Sequence, residues 1–406
     1  MEILNGLAEG QVLQRRGSKG ATVEITGTCP ESGTLTFTIA SKKGALKGWK
    51  NRVAGRAADG KFAVRLTDVP AGGPYRLELR CNKSTTRIGK FFVGDVWVLA
   101  GQSNMQGIGN MSDAPPSHPL IHAFTMRREW MRAAEPLHLL AESPDFCHNG
   151  GIQSTPEESA RSRRFLSKGV GPGLFFAHEM LRRTGVPQGL ICAAHGGTSM
   201  AQWSPERVLD GRTSMYGSLL ESVEANGQPV AGILWYQGES DANAQDIPLY
   251  SGRMRKLVSA LRKDLRQPGL PWLTVQIGRF FGDRSAAEGI AWNQIQEMQR
   301  LLPRVIKNLA VVAAIDLPMD DEIHISSTGH PRLAARLARE ADRLVLGNRR
   351  ETMSPQLRSI SSLKMPKNVP QVPGVVVEEV FLTGRPRRPN CRVFWIQTYR
   401  LFSSEK

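Results

Sequence analysis

No apolar run in this 406-residue chain approaches the roughly eighteen residues needed to cross a bilayer, so a membrane-spanning helix is excluded. With 40% hydrophobic residues, the composition is that of a soluble globular protein long enough for two or three domains. Cysteine is scarce: Cys29, Cys81, Cys147, Cys192 and Cys391 are far apart and form no C-x-x-C pair. That spacing excludes the usual zinc sites and a dense disulfide framework, and the odd count leaves at least one thiol free. Cys29 and Cys81 share the amino-terminal region and could pair, whereas Cys192 lies in an apolar run and reads as a small core residue. Met1-Glu2-Ile3-Leu4-Asn5-Gly6 lacks the basic start and continuous apolar stretch of a secretory signal. The expectation is a cytoplasmic chain, or an exported one if the natural start lies upstream. Acidic residues are few relative to basic ones, 37 against 53, giving a net charge of +16. Such a balance attracts anionic material. The basic residues are nevertheless spread along the chain, with small clusters at Arg127-Arg128, Arg161 to Arg164 and Arg385 to Arg388, and no nucleic-acid module accompanies them. A generally basic surface is expected, with no nucleic-acid partner.

The chain does carry a serine at a telling place. Val96-Trp97-Val98-Leu99-Ala100 reads as a strand and runs into Gly101-Gln102-Ser103-Asn104-Met105. In open α/β sheets ligands gather at the carboxyl ends of strands, and a glycine before the serine permits a turn sharp enough to expose the side chain. Met105 stands where the Gly-x-Ser-x-Gly elbow of α/β-hydrolases has its second glycine, so a different serine-hydrolase scaffold is implied. Taken alone, Ser103 reads equally well as a helix cap.

A serine hydroxyl needs an imidazole base, a carboxylate to orient it and donors aimed at the developing oxyanion. Asp321-Glu322-Ile323-His324 follows the apolar run Leu309 to Ile315 and sets a carboxylate three positions before a histidine, which makes His324 the candidate base and Asp321 its partner. Asp320 and Glu322 are rivals for that partner, and His330, just before Pro331, reads as a capping or surface residue. Gly189 to Ala194 reads as a strand delivering His195-Gly196-Gly197-Thr198, where the glycines free the backbone to point an N–H at a ligand. Val230 to Tyr236 reads as a third strand, ending in Gln237-Gly238-Glu239-Ser240-Asp241. Gln237 is a further oxyanion candidate; Glu239 and Asp241 receive no role.

From Ala21 to Arg80 short alternating runs split by Gly, Pro and Asp turns predict a small β-sandwich. From Gly94 onward strands alternate with helical stretches such as Leu174 to Arg183, which predicts a parallel sheet. His178, within that stretch, reads as a packed or surface residue. Asn110 to Ser167 reads as a long insertion able to shape a substrate cleft.

Gly94 to Met105, Gly196-Gly197-Thr198 with Trp203, Trp235 to Asp241, and Asp321-x-x-His324 together resemble the sialate O-acetylesterase and acetylxylan esterase group of SGNH hydrolases. The segment before them, including Val12 to Arg15 and Ala71 to Tyr75, is similar to the β-domain that precedes the catalytic domain in sialate O-acetylesterases. The resemblance implies a flavodoxin-like three-layer α/β/α domain over residues 94–348, a β-sandwich over 1–93, and a tail over 349–406 that is partly β or disordered. It implies removal of acetyl groups from sugar hydroxyls without metal or organic cofactor. Ser103 matches the nucleophile, His324 the base and Asp321 the carboxylate. The backbone N–H groups of Ser103 and Gly197, with the Gln237 amide, match the oxyanion donors, and Gln102, Asn104 and Gly196 are the expected substrate contacts. The expected partner is an acetylated sugar or glycan. An acetylxylan or other carbohydrate acyl esterase is the neighbouring alternative, and a glycan-binding protein without turnover the alternative of another class.

Overall fold

The computed structural model describes residues 1–17, 20–280 and 285–348, together with the backbone of three strands further on. Residues 1–346 form one compact unit and 347–406 a second. Within the second unit Gln356–Ser362, Val375–Thr383 and Phe394–Thr398 pair antiparallel in that order. The Arg385 to Arg388 cluster and Cys391 lie outside the described residues.

The alternating runs of the amino-terminal region become strands with alternating burial. Ala21–Thr28, Lys61–Val69 and Glu2–Asn5 form one antiparallel sheet. Gly33–Ser41 pairs with Arg52–Ala57 and Gly72–Cys81 in a second. Val23, Ile25, Val64 and Leu66 from the first share one hydrophobic cluster with Leu35, Phe37, Leu77 and Leu79 from the second, as expected when every other side chain of a strand points to the same face. Cys29 and Cys81 are buried in this cluster as free thiols, so the pairing open to them is not formed.

The strand carrying the serine motif is longer than its apolar run suggests, spanning eighteen residues from Ser84 to Gly101. Its first half pairs antiparallel with Gly72–Cys81. Its second half lies between Gln188–Cys192 and Gly232–Tyr236, parallel to both. No linker therefore separates the amino-terminal strands from the central sheet. Val12–Gln14 also pairs with Phe92 to Gly94, and Arg15 donates two hydrogen bonds of 2.8 Å to the buried Asp95 carboxylate.

Across the central sheet the order is Trp130–Arg132, Ile121–Phe124, Gln188–Cys192, Ser84–Gly101, Gly232–Tyr236, Trp272–Gln276 and Leu309–Ala313. All but the first run parallel. Part of the expected insertion thus joins the sheet as two edge strands, because Ile121 to Phe124 are all buried against Gln188–Cys192. Helices Pro172–Thr184 and His330–Leu344 pack against each other, as do Ile247–Asp264 and Ala286–Val305. Trp97, Trp203, Trp235 and Trp272 are fully buried among them; Trp97 meets Phe176 edge to face at 5.1 Å, a favoured aromatic geometry. His330 opens its helix as expected but is buried, with its ring beside Phe175. It is not a surface residue, and burial pushes its pKa down to about 4.

Successive strands are added on one side of Ser84–Gly101 and then on the other. The winding reverses at this strand, and the carboxyl end of such a strand opens into the crevice where ligands of open α/β sheets bind.

Candidate active site

Ser103 leaves the sheet on the turn Gly101-Gln102, in which Gly101 has φ +127° and Gln102 N–H donates to Tyr236 C=O at 2.8 Å. A Cβ on Gly101 would lie 2.2 Å from the Tyr236 oxygen, so only glycine allows the two parallel strands to approach this closely. Ser103 begins the one-turn helix Ser103–Gln106 and is 7% exposed.

The loop after Leu309–Ala313 is closed by Ser326 N–H donating to Pro318 C=O at 2.8 Å and Asp320 N–H donating to His324 C=O at 2.9 Å. Within it Asp321 Oδ1 accepts from the backbone N–H groups of Ile323 and His324 at 2.9 and 2.8 Å, and Oδ2 lies 2.7 Å from His324 Nδ1. Burial alone would raise the Asp321 pKa, but these N–H donors and the facing imidazole bring it below the ordinary carboxylate range. A carboxylate only accepts, so Nδ1 carries the ring proton and Nε2 is left with a lone pair. That Nε2 is 2.9 Å from Ser103 Oγ. Of the rival acids, Asp320 pairs with Lys168 at 3.3 Å.

The remaining expected site residues divide. No hydrogen bond among the described residues takes the backbone N–H of Ser103 or of Gly197, whose φ is +69°. Gln237 is different: it is fully buried, and its amide nitrogen donates to Thr198 C=O at 3.1 Å and to Asp241 Oδ2. With both amide protons engaged, Gln237 braces the glycine turn instead of offering a donor to an oxyanion. Gln102, Asn104 and Gly196 likewise face inward. Gln102 Oε1 accepts from Gly238 and Ser240 N–H at 3.3 Å, and Gly196 N–H donates to Gln106 Oε1 at 2.6 Å. Asn104 Nδ2 donates to Glu239 Oε1 at 2.7 Å and to Ile323 C=O at 3.0 Å. These residues bind the pieces of the site together.

The same contacts give Glu239 and Asp241 work that sequence left unassigned. Asp241 accepts from Met200 N–H at 2.9 Å as well as from Gln237, and burial raises its pKa. Glu239 holds Asn104, and burial pushes its carboxyl up to about 7. Trp203 pins the same turn, its indole N–H donating to Thr198 Oγ1 at 2.9 Å while Thr198 Oγ1 donates to His195 C=O at 2.8 Å. Gln106, which also buttresses the turn, carried no sequence signal except that it follows Ser103 by three helical positions. No group of three or more metal-ligating side chains occurs among the described residues, nor is any helix there long and apolar enough to cross a membrane.

A hydroxyl, an imidazole and a carboxylate in one hydrogen-bonded line at the switch point of an α/β sheet is the constellation by which serine hydrolases are recognised. Residues 93–343 match the family described as carbohydrate esterase, sialic acid-specific acetylesterase. The chain belongs to that family, and thereby to the carboxylic ester hydrolases. It is 27% identical over 267 residues to a probable carbohydrate esterase of Arabidopsis thaliana, covering 60% of this chain and 88% of the relative. It is 24% identical over 350 residues to the human sialate O-acetylesterase, 76% of this chain, and spans 62% of that relative's length. The fold is similar to that of a carbohydrate acetylesterase from Xanthomonas citri, with a TM-score of 0.62 at 23% identity, covering 93% of this chain and 80% of the other.

Proposed function

We propose that this chain is a serine esterase that removes O-acetyl groups from sugars, with Ser103 as nucleophile, His324 as general base and Asp321 as the carboxylate that orients it. The observation that carries this reading is the continuous pair of contacts, 2.9 Å from Ser103 Oγ to His324 Nε2 and 2.7 Å from His324 Nδ1 to Asp321 Oδ2. Ser103 attacks the acetyl carbonyl as its proton passes to Nε2. The N–H groups of Ser103 and Gly197 receive the developing oxyanion. Collapse expels the sugar alcohol, which takes the proton from His324 and leaves an acetyl-enzyme. Water, deprotonated by His324, then attacks this ester, and acetate leaves as Ser103 recovers its proton. The route calls on no metal or organic cofactor.

The family description makes O-acetylated sialic acid the first substrate to test, and a net charge of +16 suits an anionic glycan. The strand order and helix pairs support reading residues 94–348 as a flavodoxin-like three-layer α/β/α SGNH domain. The core shared by two small sheets supports reading 1–93 as the β-sandwich preceding it, with 349–406 as a further segment.

An active-site-directed fluorophosphonate tests the nucleophile. The labelled peptide is expected to contain Ser103 and labelling to vanish in Ser103→Ala; labelling of another serine overturns the assignment. Acetate release from 9-O-acetyl sialic acid, acetylated xylan and an aryl acetate then ranks the alcohols.

A further inference from the structure

One chain of polar side chains behind the glycine turn takes no part in the mechanism above. Asp145, 1% exposed, is contacted by two guanidinium groups: Arg128 Nη2 donates to Oδ1 and Oδ2 at 2.9 and 2.7 Å, and Arg212 Nε donates to Oδ1 at 2.7 Å. Ser218 Oγ donates to Oδ2 at 2.5 Å. Next come His148, with Nε2 3.0 Å from Ser218 Oγ, and His195, with Nδ1 2.9 Å from His148 Nδ1; the two rings are 19° from parallel.

Proton counting fixes every member. Asp145 faces two cations and accepts. Ser218 has one proton, given to Asp145, so its oxygen must accept from His148 Nε2–H. His148 is buried, which pushes its pKa down to about 3, and a neutral imidazole protonated at Nε2 has only a lone pair at Nδ1. His195 must therefore donate from Nδ1. Neutral in turn, since burial lowers its pKa as well, it is left with a lone pair on Nε2. No described residue hydrogen-bonds that nitrogen, and His195 is only half-buried.

The position of His195 gives that lone pair a use. Its N–H donates to Gly101 C=O at 3.0 Å, and it immediately precedes Gly196, where an added Cβ would lie 3.4 Å from Ser103 Cβ. The backbone of His195 thus borders the nucleophile turn, and a buried relay anchored by two arginines sets the tautomer of its ring.

We propose that His195 Nε2 is a fixed hydrogen-bond acceptor for the alcohol half of the substrate, taking a hydroxyl or amide N–H of the sugar that carries the acetyl ester. The inference rests on the esterase reading above. A site built to accept a hydrogen bond discriminates strongly against an analogue without the donor, because its own polar atom is then left unpaired.

The test compares a monoacetylated methyl glycoside bearing a free neighbouring hydroxyl, the same ester with that hydroxyl O-methylated, and p-nitrophenyl acetate, with wild type, His195→Phe and Ser218→Ala. The wild type is expected to favour the free hydroxyl over the methyl ether by about tenfold or more in kcat/KM. His195→Phe should bring that ratio close to one while aryl acetate turnover changes by less than about threefold. Ser218→Ala, which breaks the relay without removing a contact to His195 itself, should reduce the ratio in the same direction. Long-range 15N–1H correlation spectra of the wild type should find the His195 proton on Nδ1. An unchanged ratio in His195→Phe, an equal loss on all three esters, or a proton on Nε2 overturns the proposal. Failure of the wild type to release acetate from any of the three would instead remove the esterase reading itself.

Discussion

The side chain of Asn104 holds the two peptide groups that flank His324: its Nδ2 donates to Ile323 C=O at 3.0 Å, and Ile325 N–H donates to its Oδ1 at 3.0 Å. The residue next to the serine in sequence thereby fixes the loop that brings the imidazole from 221 positions away. Proximity between groups so distant in the chain depends on such clamps, since a displacement of about 1 Å can cost on the order of a hundredfold in rate.

Asn104→Ala should therefore lower kcat on an aryl acetate by about a hundredfold with a much smaller change in KM. It should also lower stability, because it orphans buried groups at a cost of about 1–3 kcal/mol each. Steady-state kinetics and urea denaturation on the same preparation check both effects. An unaltered kcat would show that the loop holds its place without the clamp.

Glu239 gives the fold a pH dependence of definite sign. Burial raises its folded-state pKa to about 7 from an ordinary 4.5, so between those values the native state binds more protons than the unfolded state. Its contribution favours folding below pH 4.5 and is lost as pH rises through about 7, a swing on the order of 3 kcal/mol. Glu239→Gln keeps an oxygen for Asn104 and removes the titration. Denaturation from pH 5 to pH 8 should find the variant gaining on wild type as pH rises; parallel curves would contradict the assigned burial cost.

Gly101→Ala should remove activity through geometry rather than chemistry. The new methyl would collide with the Tyr236 carbonyl, and a φ of +127° strains any residue with a Cβ. Turnover and fluorophosphonate labelling should fall together while far-ultraviolet circular dichroism stays native. Wild-type labelling in this variant would mean the turn tolerates a side chain.

Arg15 and Asp95 tie the amino-terminal strands to the middle of the long central strand by a bidentate pair, with Asp95 1% exposed. Removing one partner of a buried pair leaves an uncompensated charge and typically costs about 3–5 kcal/mol. Arg15→Met should therefore shift the urea midpoint strongly, and tryptophan fluorescence and circular dichroism should move together. Loss of the amino-terminal signal alone, with the central sheet unaffected, would show the two regions to be energetically independent.

Much of this arrangement could be read from residue order, and the exceptions share a cause. Ser103, Asp321, His324 and the glycine turn stand at ends of apolar strands, where local pattern fixes both element and exposure. The inward roles of Gln102, Asn104 and Gln237 were not legible, because whether a polar side chain after a strand faces solvent or its own protein depends on partners more than ninety positions away for Gln102 and Asn104. The His195 relay was hidden for the same reason: its members are scattered between Arg128 and Ser218, and only His195 adjoins a motif. The strand Ile121–Phe124 is too short and too fully buried to show alternation, so the segment containing it reads only as an insertion. The continuity of Ser84–Gly101 was obscured because the recognisable motif begins in its middle.

Acetate release by Ser103→Ala beside wild type, on O-acetyl sialic acid and an aryl acetate, tests the central claim most directly. The account expects turnover to fall by at least about a thousandfold on both esters in a protein that unfolds at the wild-type urea concentration. Release at wild-type rates by the alanine variant would contradict it.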